Sequence, residues 1–250
     1  MNGFPNDISE IITKAGSKKL SEYSSIYGNL ADSGSPIAWI PNIIRTSEID
    51  ELTMVLERNF APYLVRSDQR IPTGLMKRMK RNHAEVMPHI RLQSTVLFDP
   101  NEKKARVNSV LSGFDAFCRS ASMHAIAEDV SGFKLKRRAS YQLIAYDSGD
   151  YVGPHNDHHP ESPNLLGGYV DVQLTLSTRN VQSQLLLWEK EGHLNQWVDV
   201  GIRSALAVCH LPFWHQVTPL RALNCTAPSA RRWLIAVTFE KRMPKSTMLH

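Results

Sequence analysis

The stretch YDSGDYVGPHNDHHPE, Tyr146–Glu161, sets the imidazole of His155 two residues ahead of the carboxylate of Asp157. If Tyr151–Asp157 is a β-strand, both side chains project from one face, because the strand period is 2. One more imidazole would complete a 2-His-1-carboxylate set, whose open coordination positions suit non-haem Fe(II) oxygenase chemistry. A His-x-Asp match alone arises easily by chance, so the weight falls on where that imidazole lies. His215, in LPFWHQVTPL, comes 60 residues after His155 with several candidate strands between them. In a rolled double sheet that separation lets the chain return beside its starting strand. His158 and His159 compete for the position. His158 has the wrong strand parity; His159 has the right one, but Pro160 ends a strand there. Both are otherwise candidates for supporting the ligands, touching substrate or facing solvent.

A second chemical feature is RRWLIAVTFEK. Arg231 and Arg232 open an apolar strand, and Arg232 lies 17 residues after His215. A guanidinium clamps a carboxylate through two parallel hydrogen bonds, which a lysine does less well. Arg232 shares parity with Leu234, Ala236 and Thr238, and Arg231 with Trp233, Ile235 and Val237. The smaller residues of the first set leave room for a ligand, which favours Arg232 over Arg231 without excluding the latter.

These residues need a scaffold. The 250 residues suit one large domain with ample length for a core. Apolar content of 42% and charged content of 21% are those of a soluble globular protein. No apolar run approaches the roughly 18 residues that span a bilayer, and the N-terminus shows no secretory pattern. Cys118, Cys209 and Cys225 are too scattered for a disulfide framework. A cytoplasmic setting is therefore expected.

Residues 1–35 read as a loosely attached N-terminal arm with a helical patch near Ile8–Leu20. Residues 36–132 read as helical support plus a basic loop of the same domain, and residues 133–250 as the β core. Pro36–Ile44 suggests a short strand. The following TSEIDELTMVLERNF carries Ile49, Leu52, Val55, Leu56 and Phe60 at helical spacing, with Thr46 or Ser47 as cap. Asn108–Val130 reads as one long helix burying Val110, Leu111, Phe114, Phe117, Cys118, Ala121 and Ala125, ended by Gly132. Between Arg66 and Arg91 seven basic residues face two acidic ones, a stretch expected to loop over a site or to lie solvated. From Phe133 onward about eight short β-type runs are separated by turns. That order predicts an α+β chain that is mainly β, a double-stranded roll with helices packed outside.

Tyr146–Asp157, His215–Pro219 and Arg232–Val237 together resemble the Fe(II)/2-oxoglutarate-dependent dioxygenases, and within them the prolyl-4-hydroxylase-like group. The resemblance covers roughly residues 140–240. It implies a double-stranded β-helix holding Fe(II) through His155, Asp157 and His215, with Arg232 on the distal carboxylate of 2-oxoglutarate. It further implies a hydroxyl or amide partner for the cosubstrate, for which Tyr141, Gln173 and Thr175 are candidates. O₂ would be the second cosubstrate, with ascorbate a candidate reductant. Where the group carries a Gly-Gly-x-Leu turn, this chain reads Ser183-Gln184-Leu185-Leu186. Trp214, Tyr151 and Trp233 are expected as walls excluding water or, equally, as core aromatics.

The activity this implies is hydroxylation of an unactivated C–H in an amino acid or related metabolite, with succinate and CO₂ as coproducts. A peptide or protein side chain, as in prolyl hydroxylation, is the alternative substrate. A nucleic-acid demethylase draws support from the basic segment and the 17-residue spacing, but Thr238 stands where that subfamily has a second arginine. A non-catalytic jelly roll that binds sugars, anions or nucleic acid is the reading outside enzymology. No membrane partner is expected, and the sequence leaves the oligomeric state open.

Overall fold

In the computed structural model the described residues are 3–70, 89–95, 102–157, 168–224 and 230–242. Most of the basic loop, together with His158, His159 and Cys225, lies outside them. The strands are β1 (Ile37–Pro41), β2 (Val65–Arg70), β3 (His89–Thr95), β4 (Leu135–Asp147), β5 (Tyr151–His155), β6 (Tyr169–Ser177), β7 (Val181–Ser183), β8 (Leu185–Lys190), β9 (His193–Asp199), β10 (Ser204–Leu211), β11 (His215–Val217), β12 (Arg221–Ala222) and β13 (Arg231–Lys241). They form one antiparallel sheet in the order β1-β10-β6-β13-β4-β3-β5-β11-β8-β9, with β2 beside β3 and a separate β12–β7 pair. The sheet folds back on itself: residues of β6, β10 and β13 and residues of β5, β8 and β11 line one common cavity. This is the expected double-layered roll. Strands β1 and β3, from the first half of the chain, complete it.

Helices cover one outer face. The Thr46–Asn59 helix buries Ile49, Leu52, Val55 and Leu56, and Phe60 beyond its end is buried too, as the spacing predicted. Its N-cap is Arg45, without a side-chain capping bond, because Thr46 is already inside the first turn. The long helix expected over Asn108–Val130 is three: Lys103–Leu111, Phe114–Cys118 and Ala121–Ser131. Gly113, at φ 78°, turns the chain after the first, and Ser120 caps the third through Met123 N. The break rotates the stripe. Phe114, Phe117 and Cys118 are buried, whereas Val110, Leu111, Ala121 and Ala125 are exposed. Gly132 ends the third helix in the left-handed region, as expected. From the first 35 residues, Phe4, Ile8, Ile11 and Leu30 pack into the same helix-side core. No helix among the described residues is long and apolar enough to cross a membrane.

Candidate active site

The site begins with strand register. β11 runs antiparallel to β5 and sets His215 opposite His155, with ring centroids 4.2 Å apart. Each Nδ1 lies 2.8 Å from a main-chain carbonyl two residues earlier, Gly153 O for His155 and Phe213 O for His215. A carbonyl only accepts, so both Nδ1 atoms carry a proton, and in the neutral form of each ring the Nε2 lone pair faces the site. Burial, reinforced by the neighbouring His155 and opposed by Asp157, pushes His215 down to about 4, so it is neutral at physiological pH.

Asp157 reaches the pair by a route the strand period does not describe. β5 stops at His155, and Asp157 sits at φ 51° in the left-handed region, which aspartate tolerates better than most residues. Its carbonyl accepts the Tyr169 hydroxyl at 3.1 Å, which pins the turn. The carboxylate then faces both rings: Oδ1 is 3.3 Å from His155 Nε2, and Oδ2 is 3.4 Å from His215 Nε2. One ligand atom from each residue lies within 4.8 Å of the others. Adjacent donors held at about 2.1 Å from an octahedral ion stand about 3 Å apart. The donor spacing, the exposed lone pairs and the charge therefore fit a divalent transition metal with two neutral nitrogens and one carboxylate. The rings' Nδ1–H···O=C bonds supply the orienting outer contacts such ligands use.

The three residues line a cavity of about 260 Å³, together with Ser94, Gln142, Tyr146, Asp171 and Gln173. A smaller chamber of about 20 Å³, which shares Gln173, Leu186, Val217 and Leu234 with it, ends on Arg232. Arg232 is 2% exposed. Its Nε donates to Gln184 Oε1 at 2.5 Å, Nη1 donates to Thr175 Oγ1 at 3.3 Å, and its Cζ lies 4.2 Å from the centre of the Tyr146 ring. Among the described residues no carboxylate stands within ion-pair distance of it. A buried charge held only by neutral groups is costly, and burial lowers the basicity of this arginine. An anionic ligand in the chamber would offset that cost.

Arg231 points the other way. It pairs with Asp147 at 2.6 Å and with Glu57 at 2.8 Å on the helix side. Gln173 and Thr175 lie on the cavity side of β6, opposite Ala236 and Leu234. Tyr141 does not. It sits among the helix-side core residues and donates to Asp115 Oδ1 at 2.5 Å, because it has the parity of Leu143 and Ala145. The aromatic of β4 on the cavity side is Tyr146, cross-strand partner of Arg232, and Trp39 of β1 lines the chamber itself. Of the expected wall aromatics, Trp233 belongs to the helix-side core, and neither Trp214 nor Tyr151 lines the cavity.

The chain matches no protein-family model and no curated protein by sequence. Its fold is similar to that of a Pseudomonas putida prolyl-4-hydroxylase, with 14% identity, 91% of this chain and 100% of that one covered, and a TM-score of 0.47. It is similar to a full-length Neurospora crassa protein solved with alpha-KG, with 13% identity, 94% and 84% coverage and a TM-score of 0.49. A viral collagen prolyl hydroxylase from Paramecium Bursaria Chlorella virus-1, in complex with 2OG, shares 11% identity over 82% of this chain and 97% of its own, at a TM-score of 0.41.

Two residues of the site escape sequence reasoning. Tyr146 could have been found by parity, since it shares the cavity face of β4 with Gln142 and Ile144. Gln184 carries no sequence signal, because its partners lie 34 and 48 residues away in the chain.

Proposed function

We propose that this chain is an Fe(II)/2-oxoglutarate-dependent dioxygenase that hydroxylates an unactivated C–H bond of an amino acid or related small metabolite. One observation carries the reading: two imidazole lone pairs and a carboxylate converge at the wall of a cavity that runs on to a buried arginine with no acidic partner among the described residues. His155, Asp157 and His215 would hold one face of the metal and leave its other positions toward the cavity. The chamber at Arg232 has room for little more than a carboxylate, so the guanidinium would take the distal carboxylate of 2-oxoglutarate and aim its 2-oxo acid end at the ligands. Thr175 and Tyr146 support that clamp, and Leu186, Val217 and Leu234 keep the connecting walls apolar. When bound, Fe(II) supplies the coupled chemistry in which 2-oxoglutarate and O₂ become succinate and CO₂ while one oxygen atom enters the substrate C–H.

The cavity is smaller than the roughly 300–1,000 Å³ of drug-sized ligand sites, and Ser94, Gln142 and Gln173 place polar groups on its wall. Both features suit a small polar substrate. The free, buried thiols of Cys118 and Cys209 and the need to keep iron ferrous suit a cytoplasmic setting. The test is succinate formation from 2-oxoglutarate by protein stripped of metal and reloaded with Fe(II). Free amino acids, prolyl peptides and alkylated oligonucleotides are supplied in separate arms. Turnover stimulated by an amino acid supports the whole reading, turnover with a peptide or oligonucleotide alone moves the substrate class, and absence of Fe(II)-dependent 2-oxoglutarate turnover or binding overturns it.

A further inference from the structure

Gln184 stands behind Arg232, outside the chamber lining, with every polar atom engaged. Its Nε2 donates to Asp150 O at 3.1 Å and to Thr218 O at 3.0 Å, and its Oε1 accepts from Arg232 Nε at 2.5 Å. The orientation of the amide is chemically unambiguous: two carbonyls can only accept and a guanidinium can only donate. The main chain is equally committed. Gln184 N donates to Asp199 Oδ1 at 3.1 Å, and its carbonyl accepts from Val200 N at 2.7 Å and Gly201 N at 3.1 Å. The packing here requires a glycine at 201, since a Cβ there would stand 2.5 Å from Gln184 N. The residue is 1% exposed.

The two carbonyls it holds are not arbitrary. Asp150 immediately precedes β5, the strand that delivers His155, and Thr218 immediately follows β11, the strand that begins with His215. One amide therefore ties the roots of both histidine-bearing strands to the guanidinium across the roll. By occupying Nε, it also leaves the terminal Nη1–Nη2 edge of Arg232 for the chamber, with Thr175 holding only Nη1. A freely rotating arginine would lose that alignment and the bidentate grip that depends on it.

We propose that Gln184 is a positioning residue. It sets the direction and distance of the Arg232 clamp relative to the metal ligands, and thereby the affinity for the five-carbon 2-oxo acid over those lacking a distal carboxylate. This rests on the functional reading above. Gln184 acts through Arg232 and would not itself touch the metal.

The experiment is calorimetric titration of the Mn(II)-loaded full-length protein with 2-oxoglutarate and, separately, with 2-oxobutyrate, which shares the chelating end but has no distal carboxylate. Wild type, Gln184→Met, Arg232→Met and the double variant are compared. Loss of a hydrogen bond to a charged group predicts that Gln184→Met weakens 2-oxoglutarate binding about 10- to 100-fold. Binding of 2-oxobutyrate and of Mn(II) should stay within about 3-fold, and Gln184→Met should add nothing in the Arg232→Met background. A residue that merely filled the core would weaken both oxo acids and the metal together, and its effect would persist without Arg232; that pattern overturns the proposal. So does undiminished 2-oxoglutarate binding by Gln184→Met while wild type binds. Should that variant not fold, Gln184→Asn keeps a neutral amide but withdraws it by one methylene from the Arg232 Nε, and must also lose 2-oxoglutarate selectively. Failure of the wild type to bind 2-oxoglutarate at all strikes the functional reading first, and this inference with it.

Discussion

The two faces of the sheet β10-β6-β13-β4 are made by alternate residues of the same strands and have opposite characters. Along β13, Trp233, Ile235, Val237 and Phe239 enter the helix-side core, all at or below 1% exposure. The residues between them, Arg232, Leu234 and Ala236, line the cavity or its chamber. The first face is sealed by helices and mostly apolar, its polar groups paired locally, as Tyr141 is with Asp115 and Trp233 Nε1 is with Glu57. The second faces β5, β8 and β11 and leaves space between imidazole, carboxylate, amide and guanidinium. Stability and chemistry are thus separated by a one-residue step along a strand. Dense packing pins the backbone from one side while the other stays open enough to bind ligands.

That division can be tested by substituting on each side. The largest effect belongs to the metal ligands: His155→Ala or Asp157→Ala should abolish Fe(II)-dependent turnover and stoichiometric metal binding. The unfolding free energy of the metal-free protein should move by no more than about 1 kcal/mol, read by denaturant titration. Turnover near wild type in either variant would remove the site. On the sealed face the pattern reverses. Trp233→Ala should cost about 3–5 kcal/mol of stability, while any protein that remains folded keeps its metal affinity.

The adjacent arginines sharpen the comparison, since they differ only in the face they take. Arg232→Met should weaken 2-oxoglutarate binding roughly 10- to 100-fold. Arg231→Met, which breaks the pairs with Asp147 and Glu57 and the stacking on Trp233, all on the helix side, should leave that binding within about 3-fold. Equal effects would mean that the faces are not functionally distinct.

The smallest expected effect is at the rim of the sealed face, where His210 packs beside Phe133 and its Nε2 lies 3.1 Å from Lys241 Nζ. Burial first, and the Lys241 charge second, hold this imidazole down to about 4. A base lowered in the folded state stays neutral while the unfolded chain protonates near its ordinary value of about 6.5. The contribution is therefore complete above about pH 6.5 and is lost as the pH falls toward 4. His210→Gln should flatten the Tm-versus-pH curve between those limits; an unchanged slope would clear His210. In the metal-free protein His215 adds to the same slope, so the difference between the two proteins is the relevant quantity.

The β character of the second half and the identity of four chemical groups were legible because each depends on short-range pattern, whereas β2 and β3, at the ends of the expected basic loop, join the sheet only through long-range pairing. Alternation along RRWLIAVTFEK assigns Arg232 and Arg231 to opposite faces whatever the rest of the chain does. The helix around Ile49 was legible for the same reason. The long helix over Asn108–Val130 was not, because Gly113 and Ser120 divide it and the new axes bury a different stripe. Tyr141 was misplaced because a hydroxyl on the right strand says nothing about side until parity is counted from a known inward residue.

By itself the sequence determined the inventory and part of the local geometry: two imidazoles, a carboxylate and a guanidinium, with the histidines and the arginine in strands whose period of two assigns them a face. The tertiary structure alone decided the meetings. Asp157 joins the histidines through a left-handed turn after β5 has ended, Tyr146 stacks on Arg232 through the β4–β13 register, and Gln184 reaches three partners on three other segments. Side-chain parity is set by the backbone of neighbouring residues. Register and closure are set by the packing of the whole sheet against its helices, and no local window contains that information.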